Sequence, residues 1–156
     1  MEIDILRHGA ALPGAPGASD AGRELSAEGR AQLIDVLERA RESGARPSLI
    51  IASPYTRAMQ TARLAAEILG YTGAIESNPA LEPDRSPFDL WDEIRARSGE
   101  SEILLAGHLP ILGDLTSILL GKGVGITAAT MLRIHVPELV PEPSGTLQWL
   151  LRPGTR

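Results

Sequence analysis

The chain has 156 residues, 43% of them apolar, and a net charge of −5, proportions that fit one compact domain over residues 1–156 with a single core. No cluster of Lys and Arg stands out, which argues against nucleic acid as a partner. Cysteine is absent, which excludes disulfides, thiolate metal sites and a cysteine nucleophile together.

The first element is a strand-like alternation through Ile3, Ile5 and Leu6 that stops at Arg7-His8. A strand beginning at residue 2 predicts no secretion leader. The stretch "GAALPGAPGASDAGRE" is a loop by composition, because Gly and Pro both disfavour regular structure. "SAEGRAQLIDVLERARESG" predicts a helix capped by Ser26, with Glu28 in its first turn, an apolar face of Leu33, Ile34, Leu37 and Ala40, and a stop at Gly44. "SLIIA" over 48–52 is a continuous apolar run, as expected of a strand buried on both faces. "SPYTRAMQTARLAAEILG" follows as a helix, with Ser53 as cap, Pro54 at its first position and Gly70 as its end signal.

A weak strand near Ala74–Glu76 leads into the irregular "SNPALEPDRSP", and a short helix is expected around Phe88–Arg97. "EILLAG" over 102–107 is a second buried strand, and Pro110 to Leu120 predicts a helix. "TMLRIHV" and "GTLQWLL" close the chain as two strands with no helix between them, a candidate hairpin. Alternating strands and helices predict a three-layer α/β/α sandwich around a mostly parallel sheet. The longest apolar runs are far too short to span a bilayer, so no membrane partner and a cytoplasmic location are expected.

Ligands of open α/β sheets bind beyond the carboxyl ends of the strands. Three such ends here carry chemistry: Arg7 and His8 after the first strand, Arg57 one turn past the second, His108 just past the third. Each of these residues alone is readily structural. Together, two guanidiniums, two imidazoles and the N-termini of the following helices describe a pocket for a phosphate dianion. A neutral imidazole there can attack phosphorus while the cations stabilise the equatorial oxygens. His8, on a rigid strand end, is the better nucleophile candidate, and His108 then donates to the phosphoryl oxygens. No His pair has metal-ligand spacing, and His135, inside a strand, is not a catalytic candidate.

These residues resemble the histidine phosphatase (phosphoglycerate mutase-like) superfamily. Four blocks carry the resemblance: "RHG" at Arg7–Gly9; "RELSAEGRAQ" through Arg23, Leu25, Ser26, Gly29 and Gln32; "SPYTRAMQTA" through Ser53, Pro54, Arg57, Ala58, Gln60, Thr61 and Ala62; and "GHLP" at Gly107–Pro110. They stand in the family's order and span about two-thirds of the chain. Within the superfamily the length, "HLPILGDLTSILLG" and "SGTLQW" are most similar to the short SixA-type phosphohistidine phosphatases. The resemblance implies a phosphoglycerate mutase-like fold, phosphorylation of His8, phosphate binding by Arg7, Arg57 and His108, and hydrolysis without metal or organic cofactor.

Larger relatives carry an acidic general acid in an inserted segment and a cap over the site. Only about twenty residues separate "ALEPD" from "EILLAG", so no cap domain is expected. Glu82 is the nearest candidate acid, although Glu82 and Asp84 read equally well as loop carboxylates. A phosphohistidine P–N bond is labile and needs less acid help than an alkoxide leaving group. The expected activity is therefore a phosphohistidine phosphatase acting on a phosphorelay or phosphotransfer protein, such as one with a histidine-phosphotransfer domain. The alternatives are a small-molecule phosphomonoesterase of the same fold with Glu82 as acid, and a non-catalytic phosphate-binding module.

Overall fold

The computed structural model describes residues 1–154. Six strands form one sheet: β1 (Glu2–Arg7), β2 (Leu49–Ala52), β3 (Ile75–Ser77), β4 (Glu102–Gly107), β5 (Met131–His135) and β6 (Thr146–Leu151), in the order β3-β2-β4-β1-β5-β6. The first four are mutually parallel, while β5 runs antiparallel to both β1 and β6. The last two strands thus form the expected hairpin at one side.

The pleat decides the layers. Ile3 and Ile5 of β1 and Ile103 and Leu105 of β4 face α3 (Pro87–Arg95) and α4 (Ile111–Leu120), packing against Trp91, Ile94, Leu112 and Leu115. Leu6, Leu104 and Ala106 point the other way, against Leu33 and Leu37 of α1 (Ala27–Glu42) and Ala62 and Ala65 of α2 (Thr56–Leu69). The result is the three-layer α/β/α arrangement. Between β3 and β4 stand only a 3-10 turn, Pro79–Leu81, and the nine-residue α3, so no cap domain covers the sheet among the described residues.

Two local expectations are corrected. Ile34 is 40% exposed, and Val36 takes its place in the buried face of α1 with Leu33, Leu37 and Ala40. The second helix begins at Thr56, after an extended Tyr55 at its N-cap, so Pro54 lies outside it. Ser53 does not cap it either: its Oγ accepts the Tyr55 N–H, a turn two residues long, and faces the strand ends instead.

Ser26 caps α1 by accepting the Gly29 N–H, and it also binds the Ala10 carbonyl twice, through its backbone N–H and its hydroxyl. This pulls the start of α1 onto the loop after β1. The approach is so close that a Cβ on Gly9 would lie 2.5 Å from the Gly29 carbonyl oxygen, and one on Gly29 2.0 Å from that of Ala10. Glycine at both positions is what lets the helix brace the loop that follows Arg7-His8.

Candidate active site

Strand register assembles the site. Arg7 pairs with Gly107 and Ala52 with Ala106, so His8, His108 and Ser53, the next residues along three adjacent parallel strands, emerge side by side. Arg57 enters from the first turn of α2, buried to 6% exposure. The His8 and His108 rings meet edge-on with centroids 5.1 Å apart, and the Tyr55 ring also meets His108 edge-on at 4.8 Å. The structure therefore gathers Arg7, His8, Arg57 and His108 on one edge of the sheet.

Each side chain is held from behind. His8 sits between strands: its N–H donates to Gly107 and its carbonyl accepts from Ala129. Its Nδ1 lies 2.7 Å from the Gly9 carbonyl oxygen. A carbonyl only accepts, so Nδ1 carries the proton and Nε2 keeps its lone pair. Arg57 Nε donates to that same Nε2 at 3.3 Å. Arg7 Nη1 donates to the Ile126 carbonyl at 2.9 Å, from the loop that follows α4. His108, 2% exposed, has its Nε2 2.8 Å from Ser53 Oγ.

Among the described residues, two buried polar atoms have no partner, Arg7 Nε and His108 Nδ1. Both belong to this cluster. Unmatched buried polar atoms are costly unless a ligand completes them, and an oxyanion meets the Arg7 N–H and, with its proton on Nδ1, the His108 ring.

The electrostatics favour neutral rings. Burial, then the charges of Arg57, Arg7 and Arg23, lower the His8 pKa to about 4 against the pull of the Gly9 carbonyl. Burial, then the neighbouring His8, Arg57 and Arg7, lower that of His108 to about 3. At neutral pH His8 is thus an uncharged ring, with a free lone pair on Nε2, among fixed cations.

Glu82 follows the 3-10 turn at its C-cap, and its carboxylate accepts from Arg85 Nε at 3.0 Å and from Arg85 Nη2. His135 lies at the opposite end of the sheet, paired with Glu2. Among the described residues, no group of three or more His, Asp or Glu is arranged to hold a metal ion.

Two contributors escape a sequence reading. Ser53 carries the local signature of a helix cap. Asp20 lies in the Gly/Ala/Pro-rich loop, on a 3-10 turn at Asp20–Gly22, yet binds Arg57 through both its carboxylate and its backbone carbonyl.

The model of the histidine phosphatase superfamily (branch 1) matches residues 3–82, half the chain and the part that contains Arg7, His8 and Arg57. The phosphohistidine phosphatase SixA of Escherichia coli is 26% identical over 98% of this chain and 94% of its own. Among solved structures, the protein histidine phosphatase SixA complexed with tungstate superposes with a TM-score of 0.88, at 24% identity over 98% of this chain and 97% of that one. A mycobacterial glucosyl-3-phosphoglycerate phosphatase complexed with VO3 shares the fold at a TM-score of 0.68, with 18% identity over 94% and 96% of the two chains. With the matching segment, the four gathered side chains and the fold in agreement, the chain belongs to the histidine phosphatase superfamily, branch 1, and is a phosphatase.

Proposed function

We propose that the protein is a phosphohistidine phosphatase that removes phosphate from a phosphorelay or phosphotransfer protein through a phosphorylated His8. The observation that carries the reading is an unprotonated His8 Nε2 beside the unpartnered Arg7 Nε–H and His108 Nδ1. Nε2 attacks phosphorus, the P–N bond to the substrate imidazole breaks, and the electron pair leaves with that imidazole, whose freed nitrogen takes a proton from solvent. Arg7, Arg57 and His108 stabilise the three equatorial oxygens. Water then attacks the His8 phosphoramidate, the P–N bond to Nε2 breaks, and neutral His8, orthophosphate and a proton are released.

Three features support a protein-borne phosphohistidine over a sugar phosphate. A 3-10 turn and one short helix replace a cap, so an imidazole on another protein can reach the nucleophile. The Glu82 carboxylate is engaged by Arg85, and the labile P–N bond asks little of an acid. The Escherichia coli relative named above is itself a phosphohistidine phosphatase. No described helix is long and apolar enough to cross a membrane, which suits a cytoplasmic signalling role.

The test is turnover of a histidine-phosphotransfer domain carrying phosphohistidine, with acid-labile phosphate trapped on the enzyme. The expected result is release of orthophosphate by the wild type and none by His8→Ala. Cleavage of alkyl phosphates alone would overturn it in favour of a small-molecule phosphomonoesterase. That second reading draws on Glu82 lying beside the 3-10 turn as an acid, and it requires a large rate loss in Glu82→Gln.

A further inference from the structure

Arg57 reaches the strand ends through 8% of exposed side chain, and its guanidinium is engaged on two edges by different partners. On the end edge, Nη1 donates to the Asp20 carbonyl at 2.8 Å and Nη2 to Asp20 Oδ2 at 3.1 Å. On the side edge, Nε points at His8 Nε2. A guanidinium has five N–H donors in a fixed plane. With the end edge held by Asp20, the side edge, Nε–H and the second Nη2–H, is left facing the nucleophile.

Asp20 is itself aimed. Its other oxygen, Oδ1, accepts from Arg23 Nη1 at 3.0 Å, and Arg23 Nε is anchored to the Leu12 carbonyl at 2.9 Å. The hydrogen bonds from Arg23 and then Arg57 hold the Asp20 pKa below the ordinary carboxylate value. An acid must carry a proton at working pH, so Asp20 is no candidate for that role. What it offers is a permanent acceptor at a fixed place.

We propose that Asp20 is a positioning residue: it grips the end edge of Arg57, stays in place during turnover, and presents the side edge as a two-donor fork to the phosphoryl group on His8. The inference rests on the proposed phosphoryl-binding role of Arg57. Two effects oppose each other when Asp20 is changed. Loss of its charge makes the site more positive and favours phosphate. Loss of its grip lets a long side chain wander from the geometry that in-line transfer needs. Asp20 is 59% exposed, so water and salt screen the charge effect, and the geometric effect dominates.

Asp20→Ala and Asp20→Asn separate the two, since the amide keeps the acceptor oxygen and drops the charge. Orthophosphate binding by calorimetry, kcat on whichever phosphorylated substrate the wild type turns over, and the Arg57 Nε–H signal in a 15N correlation spectrum are the readouts. Asp20→Ala is expected to bind orthophosphate roughly tenfold more weakly, to lose about ten- to thirtyfold in kcat and to lose the resolved Nε–H signal, at an unchanged melting temperature. Asp20→Asn is expected to recover the signal and to bind orthophosphate at least as tightly as the wild type. Tighter orthophosphate binding or faster turnover in Asp20→Ala would mean that Asp20 blocks the site, and would overturn the proposal. Failure of the wild type on phosphohistidine proteins would strike the substrate reading alone, because the orthophosphate and Nε–H comparisons need no such substrate.

Discussion

Ser53 Oγ lies 2.8 Å from His108 Nε2, at the ends of two neighbouring strands. The Ser53 hydroxyl accepts the Tyr55 N–H and keeps a hydrogen that it can donate to Nε2. An oxyanion only accepts, so when one meets Nδ1, the atom without a protein partner among the described residues, Nδ1 carries the ring proton and Ser53 donates to Nε2. In that tautomer Ser53 makes a neutral imidazole a donor for an oxyanion.

Removing the hydroxyl frees the tautomer. Ser53→Ala is expected to lower kcat by about tenfold with little change in KM, the scale of one misdirected hydrogen bond felt at the transition state. Steady-state kinetics decide it: a KM effect at constant kcat would assign Ser53 to substrate binding instead.

The two site histidines are expected to stay neutral far into acid. Side-chain NMR of the ligand-free enzyme should show His8 as the Nδ1–H tautomer with a midpoint near 4, and His108 titrating lower still. Because the folded-state values are depressed, the neutral forms dominate above them, and the His8-controlled limb of kcat/KM falls near pH 4 rather than near 6.5. A His8 midpoint near 6.5 would show that burial and the arginines do not act as described.

Gly29 admits no side chain, since its Cβ would stand 2.0 Å from the Ala10 carbonyl oxygen. Gly29→Ala is expected to cost about 1–3 kcal/mol of stability, the usual scale of forced overpacking. It should also slow turnover by loosening the loop behind His8. Denaturant melts and kinetics on the same preparation test both effects, and an unchanged midpoint would refute the clash.

Far from the site, Asp4 is fully buried beside Glu102, and Arg133 bonds both carboxylates, with Glu2 and its partner His135 at the margin. One guanidinium cannot neutralise two buried carboxylates. Burial first, then Glu102, raise the Asp4 pKa to about 8 despite Arg133. The folded chain therefore holds a proton that the unfolded chain releases near 3.8. Stability is greatest at low pH as far as this group goes, and it declines as pH rises toward and through 8. Melting temperatures should drop between about pH 4 and 8, and Asp4→Asn should flatten that slope. An equal slope in the variant would place the proton elsewhere.

What could be read from the residues was whatever repeats or is buried on both sides. The strand Glu102–Gly107 was legible to the residue because all six positions are buried. The site was legible because parallel strands deliver their next residues, and the first turns of the helices that follow, to one edge, which groups Arg7, His8, Arg57 and His108. Asp20 was not, because its partner Arg57 is 37 residues away and its loop has no period. Ser53 misled because a serine before a helix looks the same whether it caps that helix or faces a histidine. The exchange of Ile34 for Val36 is a small rotation of α1 that the helical period alone does not fix.

His8 is stitched into the sheet by its own backbone, with Gly107 on one side and Ala129 on the other. A residue tied down in this way has no reach, and its amide should rank among the slowest in the molecule to trade its hydrogen for deuterium. All the travelling in an encounter then falls to the other molecule, which must bring its phosphorus to a stationary target rather than wait to be grasped.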